Sequence, residues 1–130
     1  MMNNNAICWF EIYVDQLERA KAFYKAVLGT DFHDMVPPGD SDEFKMSCFS
    51  SPENQGVSGA LVQMKQTRIN NPANTSTVVY FPCEDCSVEE SRVEQAGGRV
   101  HCPKMSIGEH GFVSLCYDTE NNLFGLYSMQ

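Results

Sequence analysis

The chain opens on an aromatic and β-branched run at residues 7–14, a composition that predicts a strand. Behind it Leu17, Ala20, Tyr24, Val27 and Leu28 recur at three- and four-residue spacing, the period of an amphipathic helix. Asp15, with Glu18 three residues on, reads as an N-cap with its capping box. Gly29 stands where a left-handed C-cap is expected. Three further strands are predicted at 32–36, 43–50 and 58–64. They are parted by the turn Pro37-Pro38-Gly39-Asp40 and a polar loop at 51–56. The polar, aperiodic segment 66–76, holding Asn70-Asn71-Pro72, reads as a linker.

The second half then repeats the first. A strand is predicted at 77–82, and a helix capped by Ser87 with Glu90 as its box partner. Val93 and Ala96 carry that helix's apolar stripe to Gly97-Gly98, and strands follow at 99–103, 111–117 and 123–127. An offset of 69 residues lays Val14 on Cys83, Leu17 on Cys86, Tyr24 on Val93 and Gly29 on Gly98. The order βαβββ–βαβββ predicts one α+β domain over 1–130, made of two modules at about 5–65 and 76–130. Modules of about 60 residues bury too little surface to be comfortable alone.

Composition narrows the partners. With 42% hydrophobic residues in a chain of 130, there is enough apolar surface for a core, which excludes intrinsic disorder. The net charge of −8 argues against a nucleic-acid backbone or an anionic membrane as partner, because both repel such a surface. No apolar run approaches the roughly 18 residues of a spanning helix. Residues 1–5 carry no basic side chain and no apolar stretch of the signal-peptide kind. A cytoplasmic protein is expected. Its six cysteines (Cys8, Cys48, Cys83, Cys86, Cys102, Cys116) are then expected to be reduced. Cys83 and Cys86 form a lone C-x-x-C at core-type positions, so packing is expected of them. Cys86 near a helix start keeps a reactive thiol open as an alternative.

Several stretches together resemble a known family. They are Trp9-Phe10-Glu11-Ile12 with Val14-Asp15, the run from Ala20 to Tyr24, Val27-Leu28-Gly29, and Val93 to Gly98. Ile107 to Phe112, Asp118-Thr119-Glu120-Asn121-Asn122 and Gly125-Leu126-Tyr127-Ser128 complete the set. The chain resembles the vicinal oxygen chelate superfamily, which includes glyoxalase I, bleomycin-resistance proteins and extradiol dioxygenases. It is most similar to the glyoxalase-like branch that begins W-F-E-I and ends D-T-E-G-N-x-x-G-L-H-S. Asn121 replaces that branch's Gly and Tyr127 its His. Asn tolerates the left-handed conformation such a turn needs.

The resemblance implies two βαβββ modules forming a cupped mixed sheet with flanking helices, a small-molecule pocket in the concavity, and a homodimer. In metal-using relatives, His or Glu on the first and last strands of each module hold a divalent cation. Carried over one by one, those positions fall on Trp9, Val78 and Gly125, and residues 59–63 hold no Glu, Asp or His. Indole, isopropyl and hydrogen offer a divalent cation no donor. A metal-free site without cofactor is expected.

Glu11 is the first candidate for chemistry, sharing a strand face with Trp9 and Tyr13. An acid among aromatics is suited to proton transfer, or else pairs with a base at an interface. Tyr80 is its counterpart in the repeat, and its hydroxyl could orient a carbonyl or serve a satisfied core tyrosine. Phe49, Phe112 and Tyr127 are further pocket candidates. His110, between Gly108 and Gly111, suits a pocket rim. His33 and His101 lie near strand starts and fit no metal-ligand spacing. Three functions follow. The first is a metal-free binder of a small organic molecule, with Trp9, Phe49, Tyr80 and Phe112 in the cup. The second is a lyase or isomerase with Glu11 as general base and Tyr80 or His110 steadying an enolate. The third is a divalent-metal enzyme of the glyoxalase or dioxygenase type with ligands drawn from Glu11, His110 and substrate.

Overall fold

The computed structural model describes residues 5–35, 44–49, 57–64 and 77–130. The expected turn at 37–40, loop at 51–56 and linker at 66–76 lie outside the described residues. Among the described residues, eight strands and two α-helices are arranged as two βαβββ modules. The first has β1 (Trp9–Val14), α1 (Leu17–Leu28), β2 (Phe32–Met35), β3 (Phe44–Phe49) and β4 (Ser58–Met64). The second has β5 (Thr77–Pro82), α2 (Cys86–Val93), β6 (Arg99–Ser106), β7 (Phe112–Tyr117) and β8 (Leu123–Ser128). Two compact units follow this division: Trp9–Thr77, and Val78–Gln130 together with Met1–Cys8. The start of the chain belongs with the second unit because the Cys8 N–H donates to the Tyr80 carbonyl at 2.9 Å. The strand predicted from residue 7 therefore begins at Trp9.

In the first module the strand order is β2-β3-β4-β1. β1 runs parallel to β4, and β3 is antiparallel to both β2 and β4. Register sorts the side chains onto two faces. Phe10, Phe32, Phe49, Leu61 and Gln63 face α1. Phe49 is the hub there, with ring centroids 5.5 Å from Phe10, 4.7 Å from Phe32 and 5.9 Å from Tyr24. Trp9, Glu11, Tyr13, Met46, Cys48, Ala60 and Val62 occupy the other face. Phe23 of α1 is 58% exposed. Its ring meets that of Tyr24 edge-on, with centroids 5.1 Å apart.

The second module repeats the plan as β5-β8-β7-β6, with β5 parallel to β8 and the remaining pairs antiparallel. Cys86, Cys116 and Leu126 form the centre under α2, with Val93, Val100, Phe112 and Phe124 packed around them. β6 runs past the expected stop at Pro103 to Ser106. It can do so because β6 is an edge strand with two register shifts, the setting in which a strand tolerates a missing N–H.

Both helices are tied to the last strand of their own module. The Leu17 N–H donates to Gln63 Oε1 on β4 at 2.6 Å, and the Cys86 N–H donates to Ser128 Oγ on β8 at 3.0 Å. Each bond satisfies an otherwise orphaned donor of the first helical turn. This arrangement corrects the expected caps. α1 starts after Gln16, which makes no side-chain cap, and Asp15 is not the N-cap. In α2 the cap is Asp85 rather than Ser87, accepting from the Ser87 N–H at 3.0 Å and its hydroxyl at 2.7 Å. Glu90 turns away to accept from the Lys104 N–H at 2.6 Å. The left-handed turns are as expected: Gly29 closes α1 at φ 69°, and Asn121 holds φ 68°.

The Lys104 ammonium, 2.9 Å from Asp85, together with the cap bonds from Ser87, holds the Asp85 carboxyl down at about 2. A folded-state value below the ordinary one of 3.8 means that ionised Asp85 stabilises the fold above about pH 4, and that this is lost as pH falls towards 2. Thermal unfolding followed from pH 5 to pH 2 is expected to show a shallower loss in Asp85→Asn, which keeps the cap but not the charge. Asp85→Ala is expected to lower Tm already at neutral pH. Equal slopes in wild type and Asp85→Asn would refute the assignment.

Candidate functional site

Alternation along β1 puts Trp9, Glu11 and Tyr13 side by side on the face away from α1. The Glu11 carboxylate is clamped within its own strand. Tyr13 donates its hydroxyl to Oε1 at 2.7 Å, and the Trp9 indole N–H donates to Oε2 at 3.2 Å. Glu11 lies directly opposite Ala60. Ala60, Val62 and Cys48 are buried beside it, with Trp9, Tyr13, Met35 and Met46 packed against them. The first module thus presents an oriented, half-buried acid between two aromatic rings on an apolar floor. Sequence alternation placed Tyr13 on this face but did not show that it grips the acid.

Two of the expected pocket residues are elsewhere. Phe49 is the centre of the ring cluster under α1, and Phe112 lies under α2, its ring capped by Lys104 Nζ at 4.7 Å. Both are core residues of their modules. The period of two separates the faces of a strand without saying which one meets the helix.

In the second module Tyr80 and Tyr127 share the face away from α2, with Val113 opposite Tyr127 and Gly125 opposite Tyr80. Tyr80 is 6% exposed, its ring lying over Gly125. The half-buried Tyr127 donates its hydroxyl to the His110 carbonyl, and burial pushes its phenol up. His110 is exposed at the end of a single 3-10 turn, Gly108–His110, and reaches this group through its backbone. At the outer strand the Tyr117 ring carries the Arg99 guanidinium at 4.2 Å and meets the His101 ring at 5.4 Å. Sequence spacing did not single out these last contacts.

The positions that hold a divalent cation in metal-using relatives do not fit one here. The Trp9 nitrogen is a donor already committed to Glu11, Val78 is fully buried, and the side-chain space at Gly125 is filled by the Tyr80 ring. On β4 the one oxygen donor facing out of residues 59–63, Gln63, faces α1 and is spent on the Leu17 N–H. In the C-x-x-C, Cys86 is fully buried. Burial, then the nearby Glu89 carboxylate, push the Cys83 thiol up to about 12. A thiol so protonated is neither a nucleophile nor a ready ligand.

Comparison with known proteins agrees with the architecture. Residues 6–38 match the family described as bleomycin resistance protein-like N-terminal. No curated protein matches by sequence. Among solved structures, the chain is similar to methylmalonyl-CoA epimerase from Mycobacterium tuberculosis, at 13% identity and TM-score 0.68 over 100% of this chain and 93% of that one. It is also similar to a hypothetical protein from Bacillus halodurans C-125, at 11% identity and TM-score 0.71 over 98% and 96%. The Streptomyces coelicolor methylmalonyl-CoA epimerase in complex with 2-nitronate-propionyl-CoA gives 16% identity and TM-score 0.64 over 95% and 96%. At these identities what is shared is the fold. Two βαβββ modules with helix-backed mixed sheets give the chain the fold of these solved structures, and its first module is similar over residues 6–38 to the bleomycin resistance protein-like N-terminal family.

Proposed function

We propose that this protein binds a small organic molecule, without a divalent cation, on the face of the first module that carries Trp9, Glu11 and Tyr13, and that the molecule bears a positive charge or N–H donors on an apolar body. The carrying observation is the Glu11 carboxylate held between Trp9 and Tyr13 over an apolar floor. Flanking aromatic faces attract cations as well as apolar surface. The chain's charge of −8 favours the approach of a cation. Structural neighbours that include a ligand complex support a fold used for small molecules.

Trp9 is the only tryptophan, so its fluorescence reports on this site alone. Aromatic amines and quaternary ammonium compounds are expected to quench it saturably. Glu11→Gln is expected to weaken cationic probes by about 10- to 100-fold, the scale of a charge-assisted hydrogen bond, while leaving neutral analogues unchanged. Equal affinity of wild type and Glu11→Gln for cations would sink the proposal. Native mass spectrometry of protein purified without chelator checks the rest of the reading: a homodimer, free of stoichiometric metal.

A second reading has Glu11 as the general base of an isomerase or lyase, supported by the likeness to an epimerase. Both Glu11 oxygens are already engaged by Trp9 and Tyr13, which favours anchoring over proton abstraction. Deuterium exchange next to a carbonyl in a bound ligand, abolished in Glu11→Gln with binding intact, would select this reading instead.

A further inference from the structure

The second module carries a basic group that neither reading above uses. Arg99, at the start of the outer strand β6, stands directly opposite Tyr117 of β7, which shares with Val113 the face away from α2. The Arg99 guanidinium lies over the Tyr117 ring at 4.2 Å, and its Nη2 donates to Asn121 Oδ1 at 3.0 Å. Tyr117 is 3% exposed, so the ring is a fixed platform. Asn121 is fixed too. It holds φ 68° in a turn that Asp118 closes by accepting from the Glu120 and Asn122 N–H groups at 2.8 and 2.9 Å. Within a register shift between Val100 and Cys102, His101 meets the same tyrosine ring at 5.4 Å. Bulges on edge strands re-aim side chains in this way. Both basic side chains are exposed, and among the described residues neither is paired with a carboxylate. The acids of the adjoining turn are spent elsewhere, Asp118 on that turn and on the Asn122 amide at 3.1 Å, Glu120 on the Thr119 hydroxyl at 3.0 Å. In a chain where acids outnumber bases 17 to 9, a guanidinium held on two sides yet left without an acid is prepared for an anion from outside.

We propose that Arg99 and His101 form a binding site for the oxyanion of a small molecule, a carboxylate or a phosphate ester, with Tyr117 and Asn121 as positioning residues. The planar fork of the guanidinium matches both groups bidentately. Holding it on a ring and an amide removes in advance the ordering that a free arginine undergoes on binding. The net charge of −8 does not decide against an anion here. At physiological ionic strength charges more than about 8 Å away are largely screened, so a contact pair is governed by its own neighbours. The site lies wholly in the second module and does not rest on the molecule proposed for Glu11.

The test is a titration of the full-length protein with phenyl phosphate and with benzoate, followed by the Arg99 Nε–H and His101 ring signals in nitrogen–proton NMR spectra. Saturable shifts are expected at both residues, and the tighter probe assigns the site to phosphate esters or to carboxylates. Arg99→Gln is expected to weaken binding by at least about 10-fold, the scale of a charge-assisted hydrogen bond. Arg92→Gln removes a positive charge from α2, where Arg92 faces Glu89 at 3.8 Å, and is expected to change nothing. Asn121→Asp separates a binding role from a structural one. Asp tolerates the left-handed turn and would place a carboxylate on the guanidinium, so binding is expected to be lost while Tm is not lowered. No saturable shift with either probe, or wild-type affinity in Arg99→Gln or Asn121→Asp, overturns the proposal. Glu11→Gln is expected to bind both probes as the wild type does, so this result and the fate of the first-module reading are scored separately.

Discussion

Gly125→Ala is expected to destabilise the protein by about 3 kcal/mol, the upper part of the range for overpacking a well-filled core. A Cβ at Gly125 would lie 2.2 Å from Cδ2, 2.3 Å from Cε2 and 2.8 Å from Cγ of Tyr80. The clash reaches the root of the ring, so it cannot be relieved by swinging the far end of a flexible side chain. Backbone retreat is blocked as well, because Gly125 is paired with Tyr80 on one side and Leu115 on the other. Urea denaturation would read the loss as a fall in midpoint at constant slope. The double variant Tyr80→Ala/Gly125→Ala should lose less than the sum of its parts, since the clash is then gone. Strict additivity would mean the contact is not the cause. The same crowding bears on function: a metal-ligating side chain cannot be restored at Gly125 while Tyr80 remains.

Leu61→Ala is expected to cost about 2–5 kcal/mol, the range for a buried leucine cut back to alanine. Leu61 is 0% exposed and sits on β4 between Ile12 of β1 and Ser47 of β3, so neighbours held on both sides cannot close the void. Set against a total stability of about 5–15 kcal/mol, the loss is large. β4 is also the strand on which β1 is registered, with Glu11 opposite Ala60. Ligand binding should therefore fall together with the unfolding midpoint in Leu61→Ala, whereas Glu11→Gln should lose binding with its midpoint unchanged. An unchanged midpoint in Leu61→Ala would contradict the packing described.

Much of the architecture was legible in the chain itself because its causes are local. Period-two and period-3.6 patterns marked eight strands and two helices, and Gly29 and Asn121 were identified by the backbone conformations they tolerate. The repeat at an offset of 69 residues survives in three dimensions at the helix starts, where Leu17 and Cys86 are both buried. Glu11 was legible as an acid sharing a face with Trp9 and Tyr13, because alternation needs only the strand itself.

What spacing could not convey depends on partners distant in the chain. The caps expected of Asp15 and Ser87 are local motifs, but the first turns are docked by Gln63 and Ser128 of the closing strands, and that contact exists only once each sheet has formed. Phe49 and Phe112 were assigned to the wrong face because alternation has two solutions, and only the seating of a helix on one of them chooses. The meeting of Cys48 with Met35 is set by the β2–β3 register. Residue types and their local order determined the elements and the acid among aromatics. Strand pairing decided which side chains became core and which became site.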